Sequence, residues 1–92
     1  MKPVRFVLAG FGAWGKVHAQ AIAANPDARL VAIAAPSEAS REEARKMHPE
    51  ATIFADSLEM IAKADFDIID IATPSHTHRE VALEAMHKGR HV

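Results

Sequence analysis

The sequence predicts an α/β fold, a doubly wound parallel sheet. Three observations point to it. Short apolar runs alternate with amphipathic stretches along the chain. Several runs are continuously apolar, as in strands covered on both faces. Three of the four glycines fall in one segment, Gly10-Phe11-Gly12-Ala13-Trp14-Gly15, directly after the first run.

Val4 to Ala9 is the first strand, stopped by Gly10. Ala13 to Ala24 reads as a helix, with Val17, Ala21 and Ala24 at i, i+4, i+7 as its expected buried face. It ends near Asn25-Pro26. Leu30 to Ala35 is the second strand, closed by Pro36. Ser37 to Met47 reads as an exposed helix. Its acids, Glu38, Glu42 and Glu43, come early and its bases, Arg45 and Lys46, late, which suits the helix dipole. Ile53 to Ala55 is a weaker third strand. Asp56-Ser57-Leu58-Glu59 reads as a capping box, with Asp56 at the N-cap and Glu59 at N3. It opens a helix whose expected inner face is Leu58, Ile61 and Ala62. Asp67 to Thr73 is the fourth strand, ending at Pro74. Ser75 is the expected cap of a last helix running to Lys88, with Val81, Ala82, Ala85 and Met86 inward and Gly89 as its C′ residue. His91-Val92 opens a fifth strand.

Strands that alternate with helices need crossover connections, hence a parallel sheet with helices on both faces. The expected strand order is 3-2-1-4-5, with the chain stopping inside the fifth strand. No repeat or linker interrupts residues 1–92, which read as one domain.

Composition excludes several classes. Eleven Lys+Arg against 12 Asp+Glu leave a net charge of −1, which offers no electrostatic footprint for nucleic acid. The absence of Cys excludes a disulfide scaffold and thiolate metal sites, and fits a cytoplasmic setting. The apolar runs fall short of the roughly 20 residues that cross a bilayer. The opening MKPVRFVLAG does not read as a secretory signal. Ninety-two residues hold one small domain, and are short for an enzyme with both cofactor and substrate sites.

The glycine segment has full G-x-G-x-x-G spacing between a strand and a helix, the context in which that motif carries meaning. Gly10 permits a tight turn, Gly12 leaves the backbone bare for a pyrophosphate, and Gly15 lets the helix pack close. The helix start holds the phosphates through free N–H groups and the dipole, so Phe11, Ala13 and Trp14 belong to the same loop. A nicotinamide dinucleotide is the expected cofactor; the alternative is a structural turn that binds nothing. For NAD, the second strand should end in an acid that binds the ribose 2′-OH. Here it ends Ala34-Ala35-Pro36-Ser37. The uncharged Ala35, followed by Ser37 and Arg41, with Ser40 and Arg45 nearby, suits a 2′-phosphate. NADP is therefore expected over NAD, while Arg41 and Arg45 equally fit a solvated helix face.

In a doubly wound sheet, ligands sit beyond the strand ends at the switch point, here between the first and fourth strands. The turn Thr73-Pro74-Ser75-His76-Thr77-His78 should then face the glycine loop. Pro74 fixes the turn and Ser75 offers a hydroxyl. His76 and His78 are two apart and do not share a helix face. A metal pair is therefore not expected, and a hydrogen bond from one of them to cofactor or substrate is. His18 packs or hydrogen-bonds under the loop. His48, His87 and His91 read as structural. Asp70 interrupts an apolar strand and needs a partner, from a helix or in the crevice.

These residues carry a family resemblance along the whole chain. The Gly10–Gly15 fingerprint followed by His18, the segment DIIDIATPSHTH at 67–78, and Gly89-Arg90-His91-Val92 together resemble the N-terminal domain of the Gfo/Idh/MocA oxidoreductases. Ser75 stands where that family usually has Asn, Arg90 where it has Lys, and Ala35 where it often has Asp. The resemblance implies a Rossmann fold. It also implies a parent oxidoreductase that moves hydride between the nicotinamide ring and a sugar, cyclitol or related polyol. In that family a Glu-Lys-Pro segment with the catalytic Lys follows shortly, and a second α/β domain carries the substrate site and often the oligomer interface. No catalytic residue is therefore assigned within residues 1–92, and no dehydrogenase turnover is expected from them alone. Two alternatives stand beside this. One is a non-catalytic nucleotide-binding module that pairs through its open sheet edge. The other is a Rossmann reductase of another type, such as homoserine dehydrogenase or dihydrodipicolinate reductase.

Overall fold

The computed structural model describes residues 3–73 and 75–92, and within them every side chain except those of residues 75–78. Four strands, β1 (Val4–Ala9), β2 (Ala28–Ala34), β3 (Thr52–Phe54) and β4 (Ile68–Ile71), alternate with four helices. These are α1 (Ala13–Ala24), α2 (Glu38–Met47), α3 (Ser57–Lys63) and α4 (Ser75–His87). The strands run parallel in the order β3-β2-β1-β4. His91 makes a parallel bridge to Ile68 on the outer edge of β4, where a fifth strand was expected. Its amide donates to Asp67 O at 3.1 Å, and its carbonyl accepts from Ile69 N at 2.9 Å.

Both faces of the sheet are covered, which is why the strands read as unbroken apolar runs. Leu8 faces a layer with Phe11, Ala19, Ile22, Ile33 and Ala44, beneath α1 and α2. Its neighbours Val7 and Ala9 face Met60, Ile61, Val81 and Ala85, beneath α3 and α4. A bulge interrupts the β1–β2 register: Phe6 lies opposite Leu30, but Val7 opposite Ala32. Val31 is the extra residue. It allows Leu30 and Ile33, three apart, to face the same layer.

The helices keep their expected spacing but not always their expected faces. In α1 the buried residues are Gly15, Ala19 and Ile22, whereas Val17 is 55% exposed and Ala21 and Ala24 face solvent. The stripe is still i, i+4, i+7, rotated by the need to seat Gly15 against the glycine turn. In α3, Met60 and Ile61 are buried, Leu58 is half-buried and Ala62 is exposed. In α4, Val81 and Ala85 are buried, Ala82 is half-buried and Met86 is exposed. Asp56 accepts from Leu58 N at 3.3 Å. Glu59 pairs with Lys63 at 3.6 Å rather than closing a box. Ser75 is the first residue of α4 rather than its cap. Gly89 ends α4 with φ +79°. Its N–H donates to Met86 O and that of Arg90 to Ala85 O, the paired bonds of a Schellman motif. Lys88 was not singled out in the sequence. Its ammonium donates to Ile61 O and Ala64 O, capping α3 from outside it.

At the N-terminal base of the sheet, the Arg5 guanidinium joins Asp67 at 3.0 Å and Asp65 at 2.6 Å. Hydrogen bonds from the Arg5 side chain and backbone hold the Asp67 carboxyl down at about 2, while both carboxylates raise the guanidinium above its ordinary range.

Candidate dinucleotide-binding site

The opposite end of the sheet carries the glycine loop. Gly10 has φ +100°, and a Cβ there would sit 2.8 Å from Ala72 O. A Cβ on Gly15 would overlap the carbonyl of Gly10. Both are glycine because the fold itself leaves no room. Gly12 differs: its φ is −79°, and a Cβ there meets nothing within 4 Å. No packing need within the described residues explains glycine at 12. The loop is pinned on both sides, by Gly10 N to Ala34 O and Ala72 N to Ala9 O, each 2.8 Å.

Gly12 is the N-cap of α1, with no side-chain cap and no acid in the first turn. By contrast, Ser37 Oγ caps α2 by accepting from Ser40 N at 3.1 Å, and Asp56 caps α3. The first-turn amides of Ala13, Trp14 and Gly15 have no intrahelical acceptors. They present the positive end of α1 over the bare backbone at Gly12. Phe11 is buried and meets His48 edge-on with centroids 6.1 Å apart. It anchors the loop. Trp14, 74% exposed, stands at the mouth of the loop.

At the end of β2, Ala35 is fully buried and its amide donates to Phe54 O at 2.9 Å. Arg41 curls back over this turn, and Nη1 donates to Ala35 O and Pro36 O, both at 2.9 Å. Its Nη2 donates to Glu38 at 2.8 Å. Arg45 lies 3.6 Å from Glu42 and 3.9 Å from Glu38. Arg41 is thus a clamp on the β2–α2 turn, with a carboxylate on its outer edge. Glu38 was missed as a member of this cluster. The i, i+3 spacing of Glu38 and Arg41 was the signal for it.

On the other side of the loop, Thr73 Oγ1 is buried and has no hydrogen-bond partner among the described residues. Pro74 and the side chains of Ser75, His76 and His78 lie outside the described residues. Asp70 finds its partner on a helix: Oδ2 lies 2.8 Å from Nδ1 of His18 in α1. Asp70 stands in register with Leu8, on the α1 side of the sheet. His48 is buried against Phe11, and its Nε2 has no hydrogen-bond partner among the described residues.

The site so assembled fits a dinucleotide phosphate bridge: an uncapped helix start, an open cradle at Gly12, and, across the switch point, a buried hydroxyl without a partner among the described residues. Among the described residues, no helix is long and apolar enough to cross a membrane. The chain matches a family model described as "Oxidoreductase family, NAD-binding Rossmann fold" over residues 4–92. It is 42% identical over 78 residues to inositol 2-dehydrogenase of Rhizobium meliloti (strain 1021), covering 85% of this chain and 23% of that protein. Apo scyllo-inositol dehydrogenase of Lactobacillus casei superposes with a TM-score of 0.93 at 32% identity, over 99% of this chain and 27% of that one. The same enzyme with bound NAD(H) and scyllo-inositol gives 0.91 at 31% identity, with the same coverage. The chain therefore spans about a quarter of the length of these relatives. Fold, glycine loop and these likenesses agree, and the chain belongs to the Gfo/Idh/MocA oxidoreductase family, whose NAD-binding Rossmann fold it forms.

Proposed function

We propose that residues 1–92 are the dinucleotide-binding domain of a nicotinamide-dependent dehydrogenase that oxidises a cyclitol or related polyol in the cytoplasm. The observation that carries this is Gly12. Among the described residues it is a glycine without a steric reason, at the uncapped start of α1. A bound nicotinamide ring supplies the hydride acceptor. The chain's own residues bind and orient. Gly10, Gly12 and Gly15, with the backbone of Phe11, Ala13 and Trp14, hold the pyrophosphate. Ala35, Ser37 and Arg41 border the adenosine ribose. Thr73 borders the nicotinamide side, and the segment that follows it in sequence, with Pro74, Ser75, His76 and His78, is assigned to the same half of the ligand from its motif. The cyclitol class is supported by the names of the relatives, an inositol dehydrogenase and a scyllo-inositol dehydrogenase.

The reading extends to NADP over NAD. It is supported by the uncharged Ala35 and by the guanidinium of Arg41 at the same strand end. Glu38 competes for that guanidinium. In equilibrium titrations of the protein, Arg41→Ala should weaken NADP by about tenfold and leave NAD within about twofold. Glu38→Gln should strengthen NADP. An NAD preference in the unaltered protein that survives Glu38→Gln would refute the NADP assignment.

A further inference from the structure

We infer that His18 and Asp70 form a positioning brace that sets the spacing between the two halves of the dinucleotide site. The inference rests on the nucleotide-binding reading above. It starts from where the pair sits. His18 is three residues after Gly15 in α1, and Asp70 two residues before Ala72 at the end of β4. The two elements already touch at the loop: a Cβ on Gly15 would lie 3.9 Å from Ala72 Cβ, and one on Gly10 would press on Ala72 O. The His18–Asp70 bond, 2.8 Å long, is the next rung of the same seam.

Apolar packing leaves that seam loosely specified. Helix α1 lies chiefly over β1 and β2 and touches β4 only lightly. Asp70 emerges among apolar residues on the α1 side of the sheet, next to Leu8 in register. An apolar side chain would serve burial there at least as well as a carboxylate. What the carboxylate adds is direction. A charge-assisted hydrogen bond has one length and a narrow angle, whereas apolar contacts slide.

The seam is also the line across which a dinucleotide must lie. The phosphate-binding amides start α1, one turn before His18. Thr73, whose buried hydroxyl has no partner among the described residues, follows β4 just beyond Asp70. In the order β3-β2-β1-β4 the switch point falls between β1 and β4, so the adenosine half lies over β1 and β2 and the nicotinamide half toward β4. A shift of α1 against β4 would misplace one half of the ligand relative to the other. A mononucleotide, which needs only the α1 and β2 side, would not notice.

That difference is the test. Trp14 is the only tryptophan in the chain and stands at the loop mouth, so its fluorescence reports binding. AMP and the preferred nicotinamide dinucleotide are titrated against the unaltered protein and against His18→Phe, Asp70→Leu, the double variant and the conservative His18→Asn. Losing one charged hydrogen bond should weaken the dinucleotide by about tenfold in either single variant and leave AMP within about twofold. The double variant should be no worse than either single one, and His18→Asn should recover most of the loss. Circular dichroism checks folding; if His18→Phe or Asp70→Leu fails to fold, His18→Ala and Asp70→Ala carry the comparison. Equal weakening of AMP and dinucleotide, or no weakening of the dinucleotide, overturns the brace alone. No binding of either ligand by the unaltered protein overturns the nucleotide reading and the brace with it.

Discussion

Three glycines spaced as one motif have different reasons to be glycine. Gly10 needs its positive φ and the closeness of Ala72, and Gly15 needs contact with Gly10. Gly12 needs neither. Substituting each by Ala should therefore separate folding from binding. Gly15→Ala should cost about 1–3 kcal/mol in a denaturant titration, because backbone must move to admit the methyl. Gly12→Ala should cost only about 0.5 kcal/mol, the difference between the two residues as N-cap. It should nevertheless abolish measurable dinucleotide binding, since the methyl would occupy the space the phosphates need. A Gly12→Ala protein that binds NAD or NADP normally would remove the main support for the proposed site. The motif's position was legible in the sequence through its spacing and flanks. The spacing also marks Gly12 as the glycine left bare for the ligand; only the fold shows what forbids a side chain at Gly10, the nearness of Ala72, distant in the chain.

Elements show the same division. The number, type and order of strands and helices follow from apolar runs, caps and breakers, and their boundaries were legible to within a residue or two. Faces were harder. The i, i+4, i+7 pattern of α1 is satisfied by two registers in an Ala-rich helix, and close contact at Gly15 selects Ala19 and Ile22 over Val17 and Ala21. The end of α3 had no visible cap, because its cap comes from Lys88 beyond another helix. Lys88→Met keeps the stem that packs near Phe66 but strips the donors from Ile61 O and Ala64 O. It should lower stability by about 1–2 kcal/mol in chemical denaturation. Gly89→Ala should cost about 1 kcal/mol by the same measurement. Its space is open, so the cost is conformational, from φ +79° alone.

Across the whole molecule, polar groups tie the two ends of the sheet in different ways. At the base, Arg5 of β1 gathers Asp67 and Asp65, and Arg90 reaches Asp65 at 3.5 Å after α4. Asp67 titrates at about 2, below its ordinary 3.8. A carboxyl depressed in the folded state adds stability that is complete above its unfolded pKa and is lost as pH falls through the folded one. The acid limb of the stability curve should therefore steepen between about pH 4 and pH 2. Asp67→Asn should flatten that limb while lowering stability at neutral pH, as read from denaturant midpoints across this range. At the other end, the His18–Asp70 pair and the glycine turn join α1 to β4, where the proposed site lies.

The oxidoreductase family was marked by a resemblance along the whole chain, while local chemistry alone was enough to predict a parallel α/β sheet and a glycine turn between strand and helix. Those features depend on runs, caps and spacings within about a dozen residues, where backbone geometry dictates which side chains can appear. Partnerships needed the folded chain. Asp70 meets His18 and Arg5 meets Asp67 across separations of 52 and 62 residues. Arg41 turns to Ala35 and Glu38 only because the β2–α2 turn brings their oxygens within its reach. A charged side chain carries no mark of its partner along the sequence. Its partner is whichever group the sheet order brings within about 3 Å, where a hydrogen bond can form.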